Sequence, residues 1–180
     1  MKINEAAEVL KSSVLEPLFT DLDKVEVEEK ENLTVCRVEI KNPSDDTSPF
    51  TLLLLEDDTT QVLRILGVAQ TKEMHLVARV AHVNHINTIG KLCWDPENGE
   101  VYVEIAALKQ SESGMSPSNF ETMAANAMAI FFNERAWFMK SEIEKLVEKK
   151  LVSRDQAQAL MNSVVEPIKN EINPRLQQAM

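Results

Sequence analysis

The most constraining feature of this sequence is the run from Met123 to Met139, which has a helical composition and very few polar side chains. A helix of this kind is hydrophobic on more than one side, so it must pack against more than one structure. One side can cover a sheet, and the other can meet the C-terminal arm or another chain. The strongly polar residues in the run are Asn126, Asn133, Glu134 and Arg135.

Two start signals precede this helix. Ser116 followed by Pro117 places proline at the first helical position, where its missing N–H is harmless. Ser118 with Glu121 three residues later is a capping-box pattern. Either signal predicts a helix that runs to about residue 149 and is roughly 45–50 Å long.

The first half of the chain has the pattern of an antiparallel sheet. Residues 21–31 are rich in Asp and Glu, and the alternation of Val with Glu over 25–28 predicts an exposed edge strand; an acidic docking strip is the alternative. Residues 33–41 alternate as a second strand. Residues 50–56 do not alternate, which predicts a central strand with both faces covered. Residues 61–69 fit a strand or a helix, and their β-branched content favours a strand in a hairpin.

Helical and hairpin patterns complete the chain up to the long helix. Residues 3–19 are predicted to form a helix, as are residues 72–88, with Gly90 where a C-cap would fall. Residues 91–95 and 100–108 are predicted to pair as a hairpin, because the intervening turn has Pro first and Asn-Gly last.

The tail beyond the long helix is predicted to be helical in pieces. Ser153 with Gln156 is a further capping box, which begins a helix through about Asn162. Pro167 and Pro174 are expected to interrupt the residues that follow. The element order α-βββ(β)-α-ββ-α predicts an α+β fold in which helices flank an antiparallel sheet. Residues 1–149 form the domain, and residues 150–180 are a helical C-terminal extension.

Charge and composition exclude several classes of function. The chain has 180 residues and a net charge of -10, and its pI is about 4.8. An acidic chain without a Lys/Arg cluster is not expected to bind nucleic acid or an anionic membrane surface. It also has no run of about 20 apolar residues and no signal-peptide pattern, so we expect a cytoplasmic protein. Cys36 and Cys93 are expected to be reduced thiols, with a bridge as the alternative if their strands are neighbours.

The candidate sites for chemistry are weak. His82 and His85 could share a helix face and hold a metal, but solvent-facing histidines are favoured because no ligand set such as HExxH or CxxC is present. Asn84 and Asn87 suggest capping or a buried polar contact, with a ligand contact as the alternative. No GxSxG, P-loop or GxGxxG motif occurs, so we expect no catalytic residues, cofactor or metal.

Two adjacent carboxylates and one thiol complete these candidates. Asp57 and Asp58 lie in a polar turn and are expected to be solvated rather than a paired acid and base. Cys93 as a nucleophile would need a positioned base, which the sequence does not indicate.

Aromatic residues of the long helix could instead anchor a partner or a second copy, although core packing explains their spacing equally well. These candidate contact residues are Phe131, Phe132, Trp137 and Phe138.

Four short segments stand out within the predicted order of helix, hairpin and helix: Val83-Asn84-His85-Ile86-Asn87, Gly90-Lys91-Leu92-Cys93-Trp94-Asp95, Gly99-Glu100-Val101 and Met115-Ser116-Pro117. Together with the element order, these segments resemble the YbjN-like family and the wider type III secretion chaperone-like fold. The resemblance covers roughly residues 1–148 and is sharpest between residues 77 and 147. It is a pattern of helix, hairpin and helix, not a signature of chemistry.

The resemblance implies a non-enzymatic protein-binding module, chaperone-like or a regulator of bacterial signalling. Members of this fold resemble small acidic chaperones that dimerise and hold partner chains in extended form, so a homodimer with a protein partner of unknown identity is expected. A small-molecule or metal-responsive sensor, using residues such as His82, His85 and Asn84, is the alternative. The extension 150–180 departs from the family pattern and could cover a surface that other members use for dimers.

Overall fold

One antiparallel sheet and a set of helices make up the part of the protein described by the computed structural model, residues 2–43, 49–86, 89–108 and 115–180. The strands are β1 (Phe19–Thr20), β2 (Glu26–Lys30), β3 (Leu33–Ile40), β4 (Phe50–Glu56), β5 (Thr60–Gln70), β6 (Lys91–Trp94) and β7 (Glu100–Leu108). The α-helices are α1 (Ala6–Lys11), α2 (Met74–Ile86), α3 (Pro117–Glu148), α4 (Arg154–Pro167) and α5 (Asn173–Ala179).

The sheet has seven strands in the order β1-β3-β4-β5-β7-β6, and β2 pairs with the remaining length of β3. All of these pairs are antiparallel, so the predicted α+β class is confirmed. The central position of β4 and the strand assignment of β5 are confirmed as well. The β6–β7 hairpin is also as predicted, with Gly99 at a φ of 81° in its turn.

One face of the sheet is buried beneath helices, and we call it the helical face. Leu52, Leu63 and Ile65 on this face have no solvent exposure. Phe50 on the same face meets Phe131 of α3 edge-on, with 4.8 Å between ring centroids. The alternating residues of the strands therefore form one half of the core, and α3 supplies the other half.

The long helix α3 forms as predicted, and Ser116 is its N-cap: its hydroxyl accepts a hydrogen bond from the Asn119 N–H at 3.2 Å. The aromatic residues proposed as contact residues are mostly core residues. Phe131, Phe132 and Phe138 are at most 2% exposed, which corrects their assignment to a surface. Trp137 is half-buried and packs against the same core.

The C-terminal extension packs on its own chain rather than projecting away. Helix α4 has the predicted capping box at Ser153 and continues into a π-helical turn, Ile168–Ile172, and then into α5. The expectation that the two prolines interrupt this segment was wrong, because the path is helical throughout. Pro174 lies in the first turn of α5, where proline is tolerated, and Pro167 is the last residue of α4, after which the path continues as the π-helical turn. Its buried residues join the core of the domain: Val164, Ile168, Ile172 and Leu176.

Two predictions near helix ends were wrong. The segment 3–19 is not one helix: a single 3-10 turn, Ile3–Glu5, leads into α1, and a second 3-10 turn, Glu16–Leu18, leads into β1. Gly90 does not adopt the left-handed conformation of a C-cap. It is needed because a Cβ there would lie 2.8 Å from the Ile130 Cδ1 atom and 2.9 Å from the Ile105 Cγ1 atom.

Candidate functional site

The second face of the sheet carries apolar side chains that no helix covers in the described part of the chain, and we call it the open face. The helix-to-sheet contacts are made on the helical face, as Phe50 and Glu56 illustrate. On the open face, Leu53, Leu55 and Val62 alternate with the fully buried residues of β4 and β5, yet each of the three is partly exposed.

The sequence predicts that this face is buried. The unbroken Leu52–Leu55 run predicts a strand covered on both sides. The structure corrects this in part, because Leu52 and Leu54 are buried while Leu53 and Leu55 retain exposure. A contiguous exposed apolar surface on a globular protein typically marks an interaction site.

Strand register aligns the apolar residues of the open face into one row across the sheet. Val35 of β3 pairs with Leu55 of β4, Leu55 pairs with Val62 of β5, and Val62 pairs with Ala106 of β7. We call these four residues the apolar row. Glu28 of β2 lies at the outer end of the row, opposite Val35. The row therefore crosses four strands with aliphatic side chains alone.

A second row, the charged row, lies beside it on the same face. Its register pairs run from β2 to β6: Glu26 with Arg37, Arg37 with Leu53, Leu53 with Arg64, Arg64 with Glu104, and Glu104 with Lys91. It carries cations and anions in nearly equal number, unlike the chain as a whole, whose net charge is -10. Apolar area bordered by charged residues is the usual composition of a protein interface.

The ion pair at the centre of the charged row is well defined. Arg64 Nε donates to Glu104 Oε2 at 2.6 Å, with the two side chains 38% and 26% exposed. The Arg64 guanidinium also lies over the Tyr102 ring, 5.5 Å from its centroid. These contacts fix the direction of a long cationic side chain that would otherwise be mobile. The open face is thus partly preorganised.

Neither cysteine has the environment of a nucleophile. Burial, and then the nearby Glu104 carboxylate, raises the pKa of the Cys93 thiol, while burial raises that of Cys36 to about 11. Reactive cysteines have lowered pKa values, so both are expected to stay protonated. Both are free, and their strands are not neighbours, because β4, β5 and β7 separate β3 from β6. The disulfide alternative is therefore excluded in this fold.

Asn84 is a structural residue that protects an edge of the sheet. Its Nδ2 donates to the Leu92 carbonyl at 2.7 Å, and its Oδ1 accepts from the Leu92 N–H at 2.7 Å. One side-chain amide thus replaces a neighbouring strand at β6, which blunts an edge that would otherwise attract another chain. The alternative of a ligand contact is not supported for Asn84, and Asn87 lies outside the described residues.

We expect Asn84→Ala to destabilise the protein by about 1–3 kcal/mol, because it leaves both Leu92 backbone groups without their partner. Asn84→Asp tests the donated bond alone: its carboxylate can still accept from the Leu92 N–H, but its second oxygen would repel the Leu92 carbonyl, so it should also destabilise the protein. Urea unfolding followed by circular dichroism measures both. Equal stability of Asn84→Ala and the wild type would contradict the bridging role.

The other proposed sites do not come together. His82 and His85 are exposed, and within the described ranges no group of three or more His, Cys, Asp or Glu side chains could hold a metal ion. Asp57 stabilises the turn in which it lies, because its carboxylate accepts hydrogen bonds from the N–H groups of Thr59 and Thr60 at 2.7 Å. The Thr59 N–H, followed by Thr60, holds the pKa of Asp57 well below its usual range. Asp57 is therefore a structural residue of this turn.

The opposite edge of the sheet is acidic and solvated. All five residues of β2 are exposed, and among the described strands β2 pairs with β3 alone. This confirms an exposed edge strand over part of residues 21–31.

A cleft of about 1040 Å³ lies near this end of the sheet, between the turn after β3 and the start of α5, and is lined by residues such as Lys41, Glu39, Arg175 and Glu171. Its charges are mixed, and Lys41 Nζ already donates to the Pro17 carbonyl at 3.0 Å.

Together these features define a class: an α+β protein whose seven-stranded antiparallel sheet is covered by helices on one face and presents a patterned surface on the other. Within the described residues no helix has the length and apolar character needed to cross a membrane. Comparison with family models, curated proteins and solved structures finds no match to this chain. The resemblance to the YbjN-like family therefore stays a prediction.

Proposed function

We propose that this protein is a non-enzymatic protein-binding module, chaperone-like or regulatory, and that it binds another protein chain on the open face. The observation that carries the proposal is the apolar row, whose aliphatic side chains keep solvent exposure in the middle of the sheet. Burying such side chains gains roughly 25 cal/mol for each Å² removed from water. A protein partner would bury the second face of β4, as the unbroken apolar run of this strand predicts.

The chemistry of the open face supports binding rather than catalysis. At its centre lie an ion pair, Arg64 with Glu104, and a thiol with a raised pKa, Cys93, while the outer charges of the charged row are solvent-exposed. A catalytic site is expected to combine a cleft with groups whose pKa values are shifted toward neutrality. The sensor alternative has less support, because His82 and His85 are exposed and Asn84 is engaged by Leu92.

Position-specific photo-crosslinking tests the proposal on the full chain. A photoreactive phenylalanine analogue replaces Val62 in the apolar row, and in a matched control it replaces Leu151, which is 66% exposed but lies in the turn after α3. In living source cells we expect a discrete adduct with a protein chain from position 62 and not from position 151. Mass spectrometry of the adduct identifies that chain.

A second variant makes the test specific. Leu55→Asp places a charge beside position 62 and is expected to reduce the adduct by about tenfold or more, because an unpaired charge would be buried in the interface. Identical adducts from positions 62 and 151, or no adduct from either, would show that the open face is not a protein-binding surface.

A further inference from the structure

The pattern of the open face fits a particular partner, because the apolar row and the outer positions of the charged row are complementary to themselves in reverse order. A two-fold axis parallel to the strands, placed above the open face between β4 and β5, would exchange β4 with β5, β3 with β7, and β2 with β6. Residues keep their position along the strand under this rotation, so each row would meet the same row of the second copy. Interfaces of this isologous kind are the commonest in homodimers.

The outer positions of the charged row are complementary under that rotation, while at its centre Leu53 on β4 would face the Arg64 position on β5. Arg37 on β3 would face the Glu104 position on β7, and Glu26 on β2 would face the Lys91 position on β6. Each pair brings opposite charges together, and the symmetry makes each pair occur twice. Reversing the order of a row in which the end charges had the same sign would instead produce repulsion.

The apolar row behaves in the same way. Leu55 on β4 would face the Val62 position on β5, and Val35 on β3 would face the Ala106 position on β7. A large side chain thus opposes a smaller one at both places, as interdigitation of two sheets requires. Twisted sheets pack face to face about 10 Å apart with their strand directions within about 30° of each other, and an axis along the strands meets that condition because it keeps the two sets of strands parallel.

We propose that the open face binds a second copy of this chain, with the two sheets stacked face to face about a two-fold axis that runs along β4 and β5. This inference rests on the proposed function, since it names the partner of the same face. The near balance of charge in the charged row makes self-association feasible for a chain of net charge -10, because only Glu26, Glu28 and Glu104 of its 29 acidic residues lie in or at the end of the two rows.

Sedimentation velocity of the purified full chain over a range of concentrations tests the inference. We expect a reversible species of twice the 20.3 kDa mass of one chain. Glu26→Lys and Lys91→Glu are each expected to weaken the dimer about tenfold, because each turns two attractive pairs into repulsive ones. The double variant with both changes is expected to return the dissociation constant to within about threefold of the wild type.

The rescue cannot arise within one chain. Glu26 and Lys91 lie at opposite edges of the sheet, five strand spacings or roughly 24 Å apart. That distance is well beyond the screening length of about 8 Å at physiological salt. Both residues are exposed, so the fold should tolerate the changes. Leu55→Asp is a further variant, expected to weaken the dimer about 30-fold or more.

Each outcome decides the question. A chain that stays monomeric, or a dimer that is indifferent to these variants, overturns the inference. If Leu55→Asp abolishes the dimer but the double charge reversal does not restore the affinity lost in the two single reversals, the proposed axis is wrong. If the chain is monomeric while position 62 cross-links to a different protein, the inference fails and the proposed function stands. If position 62 gives no specific adduct, the proposed function fails as well.

Discussion

Phe131→Ala is expected to lower the free energy of unfolding by about 3–5 kcal/mol, because it removes a ring with no solvent exposure from the centre of the core. The ring makes edge-on contacts with Phe50 at 4.8 Å and Phe132 at 5.1 Å between centroids, and such pairs contribute beyond their buried area. For a chain of this size the loss corresponds to a drop in melting temperature of roughly 10 °C. Urea titration and calorimetry measure the two quantities.

Phe131→Leu is the matched control, since a smaller loss of volume should cost less than the truncation to alanine. The comparison also separates the two roles that the sequence left open for this residue. A core residue changes the stability of the single chain, whereas a contact residue changes its association. Wild-type stability for Phe131→Ala, combined with altered association, would return Phe131 to a surface role.

Arg79→Met is expected to cost about 3 kcal/mol, because it leaves the Glu134 carboxylate, 7% exposed, without its partner. In the wild type Arg79 Nε and Nη2 donate to the two Glu134 oxygens at 2.8 and 2.9 Å, and the guanidinium lies 4.9 Å from the Trp137 ring centroid. This pair fastens α2 to α3. Thermal and urea unfolding of the variant test the expectation.

Glu134→Gln in the Arg79→Met background provides the control. It removes the stranded charge while keeping nearly the same volume, so it should recover a large part of the loss. A double variant no more stable than Arg79→Met alone would show that the lost packing of the Arg79 stem, not the charge, sets the cost.

Local periodicity was sufficient for most of the secondary structure. Alternation along 33–41 predicted β3, and the turn chemistry before Gly99 predicted the β6–β7 hairpin, because turns and strand faces depend on near neighbours. The capping signal at Ser116 likewise placed the start of α3. The error over 3–19 has the same origin: apolar spacing alone did not show that this segment breaks into short turns.

Functional placement was less predictable, because it depends on contacts between distant parts of the chain. The sequence singled out Asn84 but could not show that its amide bonds the Leu92 backbone. Nothing local linked Arg79 with Glu134, which are 55 residues apart. The apolar row was not predicted, because a row across several strands exists only once the register of those strands is set. The unbroken Leu52–Leu55 run was the feature of the sequence that could have indicated it.

The sequence by itself determined the element order, the α+β class and the need of α3 for cover on more than one side, because hydrophobic period and turn chemistry are local properties. Only the tertiary structure decided what supplies that cover. The sheet takes one side of α3, and the C-terminal extension takes another, so the aromatic residues at positions 131, 132 and 138 became core. The same packing put every helix-to-sheet layer on one face and left Leu53, Leu55 and Val62 partly exposed on the other, since one layer of helices can bury only one face of a sheet.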